Sequence, residues 1–235
     1  HVTDLPRTLS RPLETLVERR LRRVLERVAA TKPRRVVISD EALMGRFDAG
    51  FGRRGPYPRA ERRLEVLARA LAPWPCSATL ALRDPAEWAA SAWAFQMSRR
   101  PPAPREAVRA SMLDSGRGLA DAVALAAAFW PGVTVWSAVD YRRRPKAVHA
   151  ALVGARAARR VAPPQDGVNS GLSGPAAEAL ERMWRRFERV DEAAVTVART
   201  RWPVQRFGPV TLFAPAEAAQ MAVAQDAALA RLEAA

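Results

Sequence analysis

Arginine, aspartate and proline stand in a row at positions 83, 84 and 85, and a serine follows at 91, eight residues beyond the arginine. These residue types at this spacing suit the capture of a phosphate group. A guanidinium can grip a phosphate with two parallel hydrogen bonds, and a serine hydroxyl can add a further contact. The apolar run just ahead of them, Ala-Thr-Leu-Ala-Leu at residues 78–82, predicts a buried strand. Asp84 as N-cap and Pro85 at the first helical position predict a helix that starts where the strand stops and carries Ser91 two turns in. Unpaired N–H groups and the helix dipole at such a start would favour an anion as well.

The rest of the chain must supply the frame that holds these residues. Leu13, Leu16, Val17, Leu21, Val24, Leu25 and Val28 form one apolar stripe, which predicts an amphipathic helix over residues 11–30, with Ser10 placed to cap it. The β-branched run at 34–39 predicts a second buried parallel strand, and 133–136 a third. Helices are expected at 59–71, 105–112, 117–129, 145–153, 175–200 and 215–233, with one more strand within 203–213. Residues 45–58, with four glycines, two prolines and three arginines, read as a long loop able to cover a ligand. Strands alternating with helices imply an α/β fold, a doubly wound parallel sheet flanked by helices, in a single domain spanning residues 1–235. In such sheets ligands lie at the carboxyl ends of the strands. That rule selects Ser39, Asp40 and Glu41, then Arg83 and Asp84, then residues 137–141.

Composition narrows the class. An apolar fraction of 49% excludes a disordered chain, and a single cysteine, Cys76, excludes a disulfide framework or a cysteine zinc site. No uncharged apolar run reaches the roughly 18 residues that a membrane-spanning helix needs, and no signal peptide is visible, so no membrane partner and a cytoplasmic compartment are expected. The net charge of +14 is carried almost wholly by arginines spread among alanines, without a block of five like charges. This pattern reads first as solvated helix faces and second as attraction for anionic substrates. A nucleic-acid partner is not expected.

The strand, Arg-Asp-Pro and serine arrangement resembles the segment with which PAPS-dependent sulfotransferases hold the 3′-phosphate of 3′-phosphoadenylyl sulfate. Three further stretches resemble bacterial members of that family in the same order: Arg-Val-Val-Ile-Ser-Asp-Glu-Ala-Leu-Met at 35–44, Gly-Val-Thr-Val-Trp-Ser-Ala-Val-Asp-Tyr at 132–141, and the Asn-x-Ser-Leu-Ser-like loop at 169–175. The resemblance implies a P-loop-NTPase-like sulfotransferase architecture, with Arg83 and Ser91 as cofactor ligands. It also implies transfer of a sulfuryl group from PAPS to a hydroxyl or amine of a small-molecule or carbohydrate acceptor, leaving PAP, with no metal. Family members hold the 5′-phosphosulfate on a loop such as Lys-Thr-Gly-Thr-Thr after their first strand. This sequence has only Lys32 and Lys146, neither in such a loop, and is expected to begin downstream of it.

Sulfuryl transfer needs a base for the acceptor proton and cations for the transferring charge. Glu41, a carboxylate at a strand end, is the candidate base, ahead of His1 and His149, and Arg46, Arg53 and Arg54 are candidates for holding an anionic acceptor or closing over PAPS. Trp88, Trp93 and Phe95 read chiefly as core. The alternatives are a non-catalytic sulfotransferase-like nucleotide-binding module and, after it, a basic nucleic-acid binder.

Overall fold

Five residues of alternating burial, Ala78–Leu82, form strand β1 and pair in parallel with Val133–Ser137, strand β2, in the register Ala78↔Val133 through Leu82↔Ser137. In this computed structural model, which describes residues 11–40, 42–45, 51, 55–114, 118–162 and 171–234 (side chains from residue 14 onward), these are the two strands of the sheet. The architecture is α/β, mostly helical around a small parallel sheet. In chain order the helices are α1 (Arg11–Ala30), α2 (Ala60–Leu71), α3 (Pro85–Gln96), α4 (Arg105–Asp114), α5 (Ala120–Ala127), α6 (Ala138–Arg143), α7 (Pro145–Val153), α8 (Ala155–Ala158), α9 (Gly174–Phe187), α10 (Glu192–Arg201), α11 (Val204–Phe207) and α12 (Pro215–Glu233). The chain gathers into two compact units, one from residues 1–46, 57–82 and 121–163, the other from 47–56, 83–120 and 164–235.

The first unit is built on two apolar seams. Leu21 and Leu25 of α1 bury against Ala70 of α2, with Leu67, Leu71, Trp74 and Ile38 packed around them. Leu64 of α2, Ala126 of α5 and Trp130 form the second seam, onto which Leu80 of β1, Val133 of β2 and Cys76 pack. That seam covers one face of the sheet. On the other face Thr79 and its register partner Thr134 are exposed, so the strands alternate where full burial was expected.

The expected strand at 34–39 is absent: residues 35–40 form neither strand nor helix, and β1 pairs with β2 instead. A strand exists only where a neighbour takes its backbone groups. Here Ile38 reaches the seam, Val36 and Val37 are exposed, and Arg35 donates to the carbonyls of Ala151 and Leu152 at the end of α7, both at 2.9 Å. This guanidinium satisfies carbonyls that a helix C-terminus leaves open.

In the second unit α3 buries Trp88, Ala89, Ala92, Trp93 and Gln96, and α12 packs against it. Trp93 is wholly buried and its indole N–H still finds an acceptor, the carbonyl of Ala103 at 2.8 Å. The region expected as one helix over 175–200 is two. Glu188 turns left-handed (φ 51°) with its N–H on the Trp184 carbonyl, and Asp191 caps a fresh start by accepting from Ala194 N at 2.8 Å. Nor is 203–213 a strand. Residues 204–207 wind into α11, and Pro209 makes one antiparallel bridge to Ser173. Proline at 203 and at 209 offers no N–H to a ladder.

Candidate functional site

Asp84 does what its position demands. It caps α3, its side chain accepting from Glu87 N at 3.0 Å, with Pro85 at the first helical position. This fixes where the helix starts, and therefore which way Arg83 leaves the chain. The Arg83 guanidinium runs along the first turns of α3 and donates from Nη1 to Ser91 Oγ at 3.3 Å. Two groups selected by spacing alone are thus in contact, both within the second unit.

The arginine forms no ion pair with a described carboxylate. Asp84 is committed to its cap, and Glu87 does not reach Arg83 either. A guanidinium has five N–H donors, and the other four have no described partner. Ser91 accepts from Arg83, so its own hydroxyl hydrogen is free to donate to an incoming oxygen. The pair therefore presents several donors and one uncompensated positive charge, which suits a phosphate dianion. A cation beside a helix N-terminus is also mildly disfavoured by the dipole, a penalty an anion would relieve.

The backbone contributes less than the sequence implied. Pro85 has no N–H, the N–H of Glu87 is held by Asp84, and that of Trp88 bonds to the Asp84 carbonyl at 2.8 Å. Ala86 alone keeps an unpaired N–H in this first turn. The capture chemistry therefore rests on the two side chains, not on the helix start.

One contributor left no trace in the sequence. Gln225, on α12, donates from Nε2 to the Arg83 carbonyl at 3.2 Å, while its Oε1 is buried without a hydrogen-bond partner. It pins the backbone at the corner from which Arg83 projects. A glutamine 142 residues away in an alanine-rich helix carries no local signal of this kind. Phe51, from the glycine-rich stretch, meets Trp88 edge-on at 6.2 Å between ring centroids. Trp88 and Trp93 are buried and Phe95 lies under the Arg99 guanidinium (3.7 Å), so this cluster is chiefly core.

The residues selected at the other strand ends have different employments. Asp40 accepts from Ala42 N at 2.7 Å in a tight turn, and Ser39 is exposed. After β2, Ser137 and Asp140 form a reciprocal capping box that starts α6. Ser137 donates to Asp140 Oδ2 at 2.6 Å, and this bond, followed by that from the Ser137 backbone, holds the Asp140 carboxyl below its ordinary range. Tyr141 places its hydroxyl 3.3 Å from His149 Nε2, with the rings edge-to-face. Glu41, Arg46, Arg53, Arg54, His1, Ser10 and residues 169–170 of the Asn-x-Ser loop lie outside the described residues. Among the described residues no group of three or more His, Cys, Asp or Glu side chains is disposed to hold a metal ion, and no helix is long and apolar enough to cross a membrane.

No protein-family model, no curated protein and no solved structure matches this chain.

Proposed function

We propose that the chain is a PAPS-dependent sulfotransferase in which Arg83 and Ser91 bind the 3′-phosphate of PAPS. The observation that supports this reading is the 3.3 Å contact between an arginine without a carboxylate partner and the serine eight residues on, at the capped start of α3. In this reading β1 and β2 belong to a doubly wound, P-loop-NTPase-like sheet. When bound, PAPS supplies an activated sulfuryl group that passes to an acceptor hydroxyl or amine and leaves adenosine 3′,5′-bisphosphate. Glu41 takes the proton from the acceptor as the new S–O or S–N bond forms. Arg46, Arg53 and Arg54 hold the acceptor, a small molecule or carbohydrate, and balance its negative charge. Arg83 and Ser91 position the nucleotide from its far end, and Gln225 holds the Arg83 backbone while they do so.

Calorimetric titration of the full-length protein with PAP, and with AMP as the control lacking the 3′-phosphate, tests the site. PAP should bind much more tightly than AMP. Arg83→Ala should cost PAP about 2 kcal/mol, roughly thirtyfold, and leave AMP nearly unchanged. Equal affinities for PAP and AMP, or an Arg83→Ala protein that binds PAP as well as wild type, would overturn the assignment.

A further inference from the structure

The positive charge is not shared evenly between the two units. The first carries 22 Lys and Arg against 10 Asp and Glu, the second 16 against 14, so nearly all the excess lies in the first. Within that unit two groups of cations contrast. On facing sides of α1 and α2, Arg22, Arg62 and Arg69 are held by Glu14, Glu18 and Glu65. Along α6, α7 and α8 stand Arg142, Arg143, Arg144, Lys146, Arg156, Arg159 and Arg160, all exposed and none ion-paired with a described carboxylate. Residues 138–162 contain one acidic residue, Asp140, and its carboxylate is engaged by Ser137.

The scaffold under these cations is ordered. Tyr141 and His149 tie α6 to α7 through the 3.3 Å hydroxyl contact, Val148 and Ala158 are buried beneath α7 and α8, and Arg35 brings one more guanidinium to the end of α7. At 1.5 Å per residue the nine residues of α7 alone are about 13 Å long. Cations lie before, along and after it, a spread that one small anion does not span and that a repeating anion matches.

We propose that the α6–α8 face binds the sugar–phosphate backbone of a nucleic-acid duplex without reading its sequence. Six of the seven cations are arginines, the side chain that grips phosphate bidentately. No aromatic side chain is exposed along residues 138–161, so unpaired bases would find no stacking platform, which favours a duplex over a single strand. The exposed large apolar residues of this stretch are Val139 and Val161, one at each end, too little for insertion among lipid chains. Binding of this kind is governed by counterion release, about 0.9 ions per phosphate contacted.

Fluorescence anisotropy with a labelled, mixed-sequence DNA duplex tests it, using wild type and two variants of equal charge loss. One is Arg142→Gln, Arg143→Gln, Arg156→Gln and Arg160→Gln. The other removes four exposed α1 arginines, Arg19→Gln, Arg20→Gln, Arg23→Gln and Arg27→Gln. Wild-type affinity should fall roughly a hundredfold or more between about 50 and 200 mM salt, as expected for four or more phosphate contacts. The α6–α8 variant should lose most of its affinity and flatten that slope, while the α1 variant and Arg83→Ala keep both. The pairs Arg142→Gln with Arg143→Gln, and Arg159→Gln with Arg160→Gln, should each give an intermediate loss, which guards against misfolding of the fourfold variant. Equal losses from the α1 and α6–α8 variants would reduce the effect to overall charge and overturn the proposal. So would binding to phosphatidylserine vesicles in the absence of duplex binding.

Discussion

The α1–α2 seam and the α6–α8 run are both rich in arginine, yet the same side chain does opposite things in them. At the seam Arg69 bridges Glu18 (2.9 Å) and Glu65 (2.7 Å), Arg62 bridges Glu14 and Glu65, and Arg22 reaches Glu18 and the carbonyl of Arg69. Along α6–α8 the guanidinium groups are exposed to solvent and none is ion-paired with a described carboxylate. Composition counts these cations identically. What separates them is whether a neighbouring helix offers carboxylates, and this is decided by packing. The first group ties two helices together; the second leaves a field available to something else.

That comparison can be broken most forcefully at its apolar base. If the seam is held mainly by Leu21, Leu25 and Ala70, with the ion pairs as trimming, Leu25→Ala should cost about 3 kcal/mol and lower the Tm by roughly 5–10 °C. Differential scanning calorimetry decides it, and a shift no larger than that of the ion-pair variants would reverse the ranking. Next in size is Arg69→Gln, which removes both bridges at once. The pairs are partly exposed, so about 1 kcal/mol is expected, shrinking in 1 M salt as screening takes over. By contrast Arg159→Gln has no described partner to lose. Its stability should stay within about 0.5 kcal/mol of wild type and rise slightly if like-charge repulsion is relieved. Urea midpoints for the two variants at low and high salt test the difference directly, and equal destabilisation would erase it.

The sequence disclosed what is local and hid what depends on a distant partner. The start of α3 is written in Asp84 and Pro85, and their spacing marked Arg83 and Ser91 as two groups for one phosphate; that they touch each other is what the structure adds. Amphipathic stripes placed α1 and α2 within a residue or two. The run at 34–39 has every local mark of a strand, but a ladder needs a neighbour, and among the described residues only β1 and β2 pair as strands. The break at Glu188 was hidden for another reason. A glutamate does not announce a left-handed turn, which here leads into the buried Val190 and the cap at Asp191. Gln225 and the pairing of the arginines depend wholly on which helices meet, and periodicity is silent about that.

The smallest expected effect concerns the one carboxylate amid the α6–α8 cations. Asp140 is held below the ordinary carboxylate range, first by the Ser137 hydroxyl, then by the Ser137 backbone N–H, with the charges of Arg144 and Arg143 adding to it. Because its folded value is depressed, its contribution is fully present above the unfolded value and is lost as pH falls through the folded one. The window therefore lies below about pH 4. Asp140→Ala, which cannot titrate, should be less stable than wild type at neutral pH. The gap should close as the pH drops through that window, because wild type then loses the same capping box. Urea midpoints collected across this range check the sign, and a gap constant with pH would show that the carboxylate's charge does not support α6. The same variant leaves residues 138–162 with no acidic residue, so at neutral pH it should bind duplex slightly more tightly than wild type. Weaker binding would mean that Asp140 serves that face by setting the start of α6, and so the placement of Arg142 and Arg143, more than it opposes it by charge.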